Sequence, residues 1–347
     1  MSEDFNPSAL LVLPHLRIQN ANAISAPMTW GFPSMTAFVG LMQALERKLA
    51  GEMRLQFLSV GVVCHHFQAQ ASRDRYTYAL RLTRNPVDDK GDTAAIVEEG
   101  RIHLELTLIF GVHGDAVAGR DAEQHAAVVR RVGQVLAGMR VAGGSVMPAL
   151  PGRRRRRLQP YVAVLPSGND GDFFRQLRRQ WLPGFALVSR DDVLQAHHAQ
   201  LRQARPDATL LDAWLDAARL NLRADHEPVI DRDTGQPAVD AATGEPKTQV
   251  AWNARRLPGW VVPIPVGYGA LEAEAHAPGT VAGARDRRVP FRFVESLYSL
   301  GQWISPHRLQ RPSDLLWSSH ADIEAGLYRC VNRYRAASLA APDTASN

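Results

Sequence analysis

Ile102, Leu104, Leu106, Leu108, Phe110 and Val112 recur at every second position, and no other feature constrains the chain as tightly. Six large apolar side chains on one face of an extended segment need a layer to cover them. The neighbouring segments supply that cover. Ser34 stands ahead of Phe38, Leu41, Met42, Leu45 and Leu49, and Asp121 with Gln124 opens a run containing Val128, Val129, Val132, Val135, Leu136 and Met139. Both are helical spacings behind capping residues. Further strands are expected at Leu10–Ile18 (broken by Pro14), at Val60–Phe67 and at Tyr76–Leu82, and the chain then enters Arg140-Val-Ala-Gly-Gly-Ser145. Strand, helix, strands, helix, strand is the ferredoxin-like order. The expected fold class is α+β, with a ferredoxin-like, RRM-type core over residues 1–150. That scaffold serves many RNA-recognition domains but also many unrelated functions.

The rest of the chain reads differently. Residues 151–255 look like an insertion with helices and a flexible acidic loop. Phe173, Phe174, Leu177 and Trp181 share one helix face, and two more helices are expected at about 191–204 and 208–222, the second burying Leu210, Leu211, Trp214, Leu215, Ala218 and Leu222. Residues 223–249 hold no aromatic and no leucine, two Thr-Gly pairs, three prolines and a net charge of −3, the composition of a long loop or hairpin. A β-rich C-terminal part over 256–335 follows, with strands at Trp260–Pro265 and Val289–Ile304, packing on the core. The tail after Tyr334 is rich in Ala and Ser and is expected to fray. No internal repeat is evident.

Several function classes are disfavoured by composition. No run approaches the roughly 18 apolar residues of a membrane-spanning helix, and the acidic start Met-Ser-Glu-Asp-Phe lacks the order of a signal peptide. With Cys64 and Cys330 as the only cysteines, neither a disulfide framework nor a cysteine zinc site is available. A soluble, cytoplasmic protein is expected. The formal charge is only +5, yet the basic residues are 37 Arg against 3 Lys. A GC-rich genome would raise that total, so clustering is the better guide. Arg153, Arg154, Arg155, Arg156 and Arg157 form an unbroken run, and Arg285, Arg287, Arg288 and Arg292 form a second group. The guanidinium suits phosphates and stacks on bases, and such clusters neutralise several phosphates at once; a solvated loop is the plainer reading of the first run.

Catalytic and metal motifs are weak. The adjacent pairs His65–His66 and His197–His198 would point to opposite faces of a strand, and no HExxH spacing occurs; no metal and no cofactor are expected. A ribonuclease would need a histidine near a glycine-rich loop, which His15, His66 or His113 with Gly143 and Gly144 could supply; plain strand and turn positions are the competing reading. Gly267-Tyr-Gly269 lacks the third glycine and following helix of a nucleotide loop. More distinctive is the segment joining the first strand to the first helix. Its Gln19, Asn20 and Asn22 can address base edges, Ser25 adds a hydroxyl, Arg17 a charge and Trp30 a stacking surface. Arg140 flanks the glycine pair. Large apolar side chains around Trp303–Trp317 and Trp181, near arginines, suit either a partner interface or the protein's own core.

These residues also carry a family resemblance. Arg17-Ile-Gln-Asn-Ala-Asn-Ala-Ile-Ser25 with Thr29-Trp-Gly-Phe-Pro33 resembles the N-terminal signature of the second Csy subunit of type I-F CRISPR surveillance complexes. Leu82–Pro86, Thr93–Arg101, Gly111–Asp115, Leu182–Arg190, Pro258–Pro265, Arg285–Arg287, Arg292–Glu295, Trp303–Arg308 and Asp314–Trp317 extend it, in order, over about residues 9–330. The resemblance implies a RAMP-type fold and a non-catalytic role in antiviral defence. It implies pairing with the large Csy subunit, holding the CRISPR RNA 5′ handle at the tail of the complex, and contact with the adjacent backbone Csy subunit. It leaves target DNA and phage anti-CRISPR proteins open as further partners, and a metal-independent endoribonuclease processing CRISPR RNA as the alternative. The five-arginine run and the 223–249 loop lie outside the family pattern.

Overall fold

The computed structural model describes residues 6–74, 77–81, 87, 90–93, 99–119, 121–148, 158–166, 171–231, 234–240, 243–255, 257–284 and 286–335. The first half runs β1 (Ala9–Asn22), α1 (Met35–Leu49), β2 (Gln56–Ala69), β3 (Ala71–Asp74), β4 (Thr77–Leu80), β5 (Arg101–His113), α2 (Ala122–Ala137), β6 (Arg140–Val141) and β7 (Gly144–Val146). β5 lies antiparallel between β1 (Leu11↔Phe110) and β2 (Val62↔Leu108), and β7 pairs the outer edge of β1 at Ile18↔Val146, giving the order β7-β1-β5-β2. All six alternating apolar side chains of β5 are buried in one core, together with the apolar faces of α1 and α2. Each such side chain contributes about 1.5–3 kcal/mol relative to exposure. Local chemistry starts both helices: Ser34 Oγ accepts from the Thr36 N–H (3.2 Å), and Asp121 accepts from the Glu123 and Gln124 N–H groups (2.9 and 3.3 Å).

The second half is β8 (Tyr161–Val164), α3 (Gly171–Arg178), β9 (Phe185–Ser189), α4 (Asp191–Ala204), α5 (Leu210–Ala218), β10 (Asn221–Pro228), β11 (Thr248–Arg255), β12 (Val261–Ala270), β13 (Val294–Ile304), α6 (Pro312–Leu315), β14 (Trp317–Asp322) and β15 (Leu327–Asn332). Its strands extend the same sheet. β9 pairs β2 at Val63↔Ala186, followed by β13, β12, β15 and β14, and the Trp317↔Val60 bridge brings β14 back to β2. The pairings of these six strands thus form a ring, in which β9 and β14 meet β2 along the edge opposite β5. α3 and the following turn cover the other sheet face, where Leu10, Val12, Val63 and Ile109 meet Phe174, Leu177, Trp181 and Leu315. Among the described residues no helix is long and apolar enough to cross a membrane.

Four sequence expectations need correction. Of the strand expected at Tyr76–Leu82, Thr77–Leu80 pairs with β3 in a hairpin outside the main sheet, while Tyr76 and Leu82 lie outside the described residues. α5 buries Ala213 and Trp214 but leaves Leu210, Leu211 and Leu215 exposed; it stops at Ala218 because the chain turns into the β10–β11 hairpin. The strand expected from Val289 begins at Val294, since Phe291 is drawn aside into a bridge with His276. Finally, the acidic segment contains a short repeat. Asp231 and Asp240 each accept from the N–H of a Thr three residues on and, through the backbone carbonyl, from the following Gly. The two turns close on the bridges Ile230↔Pro237 and Val239↔Pro246. Asp-x-x-Thr-Gly-x-Pro therefore occurs twice.

The tryptophans divide. Trp181 and Trp317 are fully buried, and each indole N–H is used: Trp181 donates to Tyr161 Oη (3.1 Å) and Trp317 to the Leu187 carbonyl (2.9 Å). Both fill this chain's own core. Trp303 is half-buried at the edge of a groove.

Candidate nucleic-acid interface

Two bulges shape the end of β1. The pairing with β5 slips between Leu13 and Leu16 and again between Ile18 and Ala21. His15 and Asn20 sit at these slips with φ of 51° and 57°, a region Asn tolerates far better than most residues. The Asn20 N–H, freed from the ladder, donates to His103 Nδ1 (3.1 Å). The second slip leaves Gln19, Asn20 and Asn22 exposed, with Arg17 half-buried.

Beside them stands the β6–β7 hairpin. Ala142 and Gly143 are its two turn residues, with φ of 48° and 79°, the pattern of a type I′ turn. Gly144 has a different reason to be glycine: a Cβ there would lie 2.6 Å from Ile18 Cγ2 and 2.8 Å from the Ala21 nitrogen. The hairpin therefore presses directly on the bulge, and the Asn22 N–H donates to the Ala142 carbonyl (2.8 Å). Arg140 reaches over the turn to donate to the Gly143 carbonyl (3.1 Å).

These pieces meet α1 in a cleft of 420 Å³ lined by Asn22, Ser25, Ser34, Gly143, Tyr268 and Tyr328, among others. Asn22 Oδ1 accepts from the Ile24 N–H (2.9 Å), and Ser25 Oγ accepts from the Ser34 N–H (2.9 Å), so both side chains also hold the loop. α1 carries no acidic residue in its first turn; the positive end of its dipole and its N–H groups face this region without a neutralising carboxylate. The rings of Tyr268 and Tyr328 lie 6.4 Å apart and nearly parallel. The Asn22 amide, the serine hydroxyls, a helix N-terminus and stacked phenols together can bind a phosphate and a base. The two tyrosines were not singled out from the sequence. The only signal was Gly267-Tyr-Gly269, whose Gly267 serves the close approach of β12 to the Tyr328 backbone.

Trp30 stands 46% exposed and packs on Tyr78 with ring centroids 5.3 Å apart, so it remains available for stacking. Arg153, Arg154, Arg155, Arg156, Arg157 and Arg285 lie outside the described residues. Arg287 donates to the Gly279 carbonyl (3.2 Å), Arg288 pairs with Asp286 (3.0 Å), and Arg292 packs against Gly326 in the β14–β15 turn.

The three histidines of the ribonuclease reading sit at different places on the sheet. His113 is at the other end of β5, paired with Gln56, whereas the glycine turn adjoins Gln19 and Asn22. His15 Nδ1 contacts Glu105 Oε1 (2.7 Å), and its ring stacks on His65 at 4.0 Å. His65 Nδ1 faces the Pro183 carbonyl (2.6 Å), which only accepts, so Nδ1 carries the proton and Nε2 accepts from Thr107 Oγ1 (2.7 Å). His66 lies on β2 opposite Glu105. Burial, partly offset by the Pro183 carbonyl, pushes the His65 pKa below its usual range. A depressed folded-state pKa means that protons favour the unfolded chain, so this contribution is complete above about pH 6.5 and is lost as pH falls towards the folded value. His65→Asn should shrink the drop in melting temperature between pH 7.5 and 5.5; an unchanged drop would assign that pH dependence to other groups.

The family model described as CRISPR-associated protein (Cas_Csy2) matches residues 11–330. The CRISPR-associated protein Csy2 of Pseudomonas aeruginosa (strain UCBPP-PA14) is 46% identical over 330 residues, covering 93% of this chain and 95% of that relative. A full-length match of this kind, over a mixed α+β chain, means that the protein belongs to the Csy2 family, the second Csy subunit of type I-F CRISPR systems.

Proposed function

We propose that this chain is a non-catalytic subunit of a type I-F surveillance complex that holds the 5′ handle of CRISPR RNA, pairs with the large Csy subunit and packs against the adjacent backbone subunit. The observation that carries the reading is the meeting of Asn22, Ser25 and Gly143 with Tyr268 and Tyr328 at the α1 N-terminus. A fixed-sequence single strand needs base-edge readers, a stacking surface and a phosphate site in one place, and this cleft has all three. The β7-β1-β5-β2 order with α1 and α2 in one core supports a ferredoxin-like, RAMP-type scaffold. Arg17, Gln19, Asn20, Trp30 and Arg140 extend the surface around the cleft, and Arg287 and Arg288 supply further charge.

Base contacts specify and phosphate contacts do not. Asn20→Gly with Asn22→Ala should therefore weaken handle RNA by about 1–3 kcal/mol and leave scrambled RNA of equal length nearly unaffected. Glycine keeps the positive φ at position 20, so the fold should be intact by circular dichroism. Equal losses on both RNAs would overturn handle reading by this loop.

A further inference from the structure

A second recess lies apart from the cleft just described. It is a groove of 400 Å³ between the 29–32 loop, the end of β2 and strands β9, β12 and β13. Its walls are aromatic: Phe32 meets Trp303 edge-on at 4.8 Å, Trp303 lies 6.2 Å from Trp260, and Trp260 meets Phe185 at 5.1 Å. Phe67, Phe185 and Trp260 stand 56%, 43% and 48% exposed, a concentration of apolar surface that the fold itself leaves uncovered.

We propose that this groove takes one unpaired nucleobase of single-stranded RNA; the inference rests on the RNA-binding reading above and names a second site for the same ligand. Three observations favour a base over an apolar side chain of a protein. Thr29, which lines the groove, has its Oγ1 buried with no hydrogen-bond partner among the described residues, and buried hydroxyls are rarely left so; a turn about χ1 would offer it to a base edge. Trp30, which lines the groove, packs tilted at 39° on Tyr78 with centroids 5.3 Å apart, and the Arg73 guanidinium lies 5.6 Å over the Tyr78 ring. Aromatic platforms joined to arginine are the means by which single strands are held, the ring meeting the base and the cation the phosphate. The segment 22–34 also lines both recesses, Asn22, Ser25 and Ser34 the cleft and Thr29 to Phe32 the groove, so the two sites share one loop.

The test uses the full-length protein and two series of RNA. Handle RNA, intact or with one nucleotide at a time made abasic, is titrated against wild type, Trp260→Ala and the more exposed Phe67→Ala. Trp260→Ala should weaken intact RNA by about 5- to 150-fold, the range for loss of one stacked base. One abasic position should weaken wild type similarly and lose nothing further when combined with Trp260→Ala or Phe67→Ala. The proposal is overturned if the variants bind intact RNA like wild type, or if their losses are equal on every abasic RNA. It is equally overturned if they lose only capture of the partner Csy subunits, which would make the groove a protein socket. Should Asn20→Gly with Asn22→Ala weaken the handle while Trp260→Ala does not, only the groove falls. Should wild type fail to bind the handle, the RNA reading falls with it.

Discussion

Trp317→Ala is expected to lower the free energy of unfolding by about 3–5 kcal/mol, the range for removing a large aromatic from a packed core. Trp317 is wholly inaccessible to solvent, its indole N–H donates to the Leu187 carbonyl across 2.9 Å, and its backbone makes the Val60 bridge that closes the six-strand ring. Truncation removes the ring, leaves a cavity between β14, β2 and β9, and strands a buried carbonyl, and each of these destabilises. Chemical denaturation of the two proteins checks this, with the midpoint shifted and the slope unchanged. A loss under about 1 kcal/mol, well below that range, would show that the ring is closed by other contacts.

Gly144→Val should abolish detectable handle binding and cost about 3 kcal/mol or more of stability. Its Cβ would meet the Ala21 backbone at 2.8–2.9 Å as well as Ile18, and backbone cannot step aside as a flexible side chain can. Overpacking of this kind costs about 1–3 kcal/mol. β7 would be forced off β1, adding the loss of ladder hydrogen bonds at about 0.5–1.5 kcal/mol each. Gly143→Ala is the control. Its Cβ meets nothing within 4 Å, but its φ of 79° is unfavourable for alanine, so it should weaken the turn without displacing the strand. Equal RNA affinities for wild type and Gly144→Val would remove the hairpin from the interface.

Legibility followed the physics of each element. The alternation from Ile102 to Val112 and the capped faces behind Ser34 and Asp121 are local patterns, and β5, α1 and α2 appear where they were expected. The curl of β9, β13, β12, β15 and β14 back to β2 was not readable, because strand order depends on pairings between residues as distant as Val60 and Trp317. For the same reason the cleft was half legible. Asn22, Ser25 and Gly143 stood out by residue type, whereas Tyr268 and Tyr328 arrive from strands more than 230 residues along the chain from Asn22. The bulge at Asn20 was hidden because a register slip leaves no composition signal. The aromatic groove has no local pattern in the sequence: Trp30, Phe67, Phe185, Trp260 and Trp303 are scattered singly along it and converge only in the folded sheet.

The most direct test of the interface is ultraviolet crosslinking of 4-thiouridine-labelled handle RNA within the assembled Csy complex, with crosslinked peptides mapped by mass spectrometry. Crosslinks should fall in residues 17–33 and 140–146 and on the peptides carrying Tyr268 or Tyr328. Crosslinks confined to the Arg287–Arg288 turn or to the partner subunits, with none in residues 17–33, would contradict the assignment of the handle to this cleft.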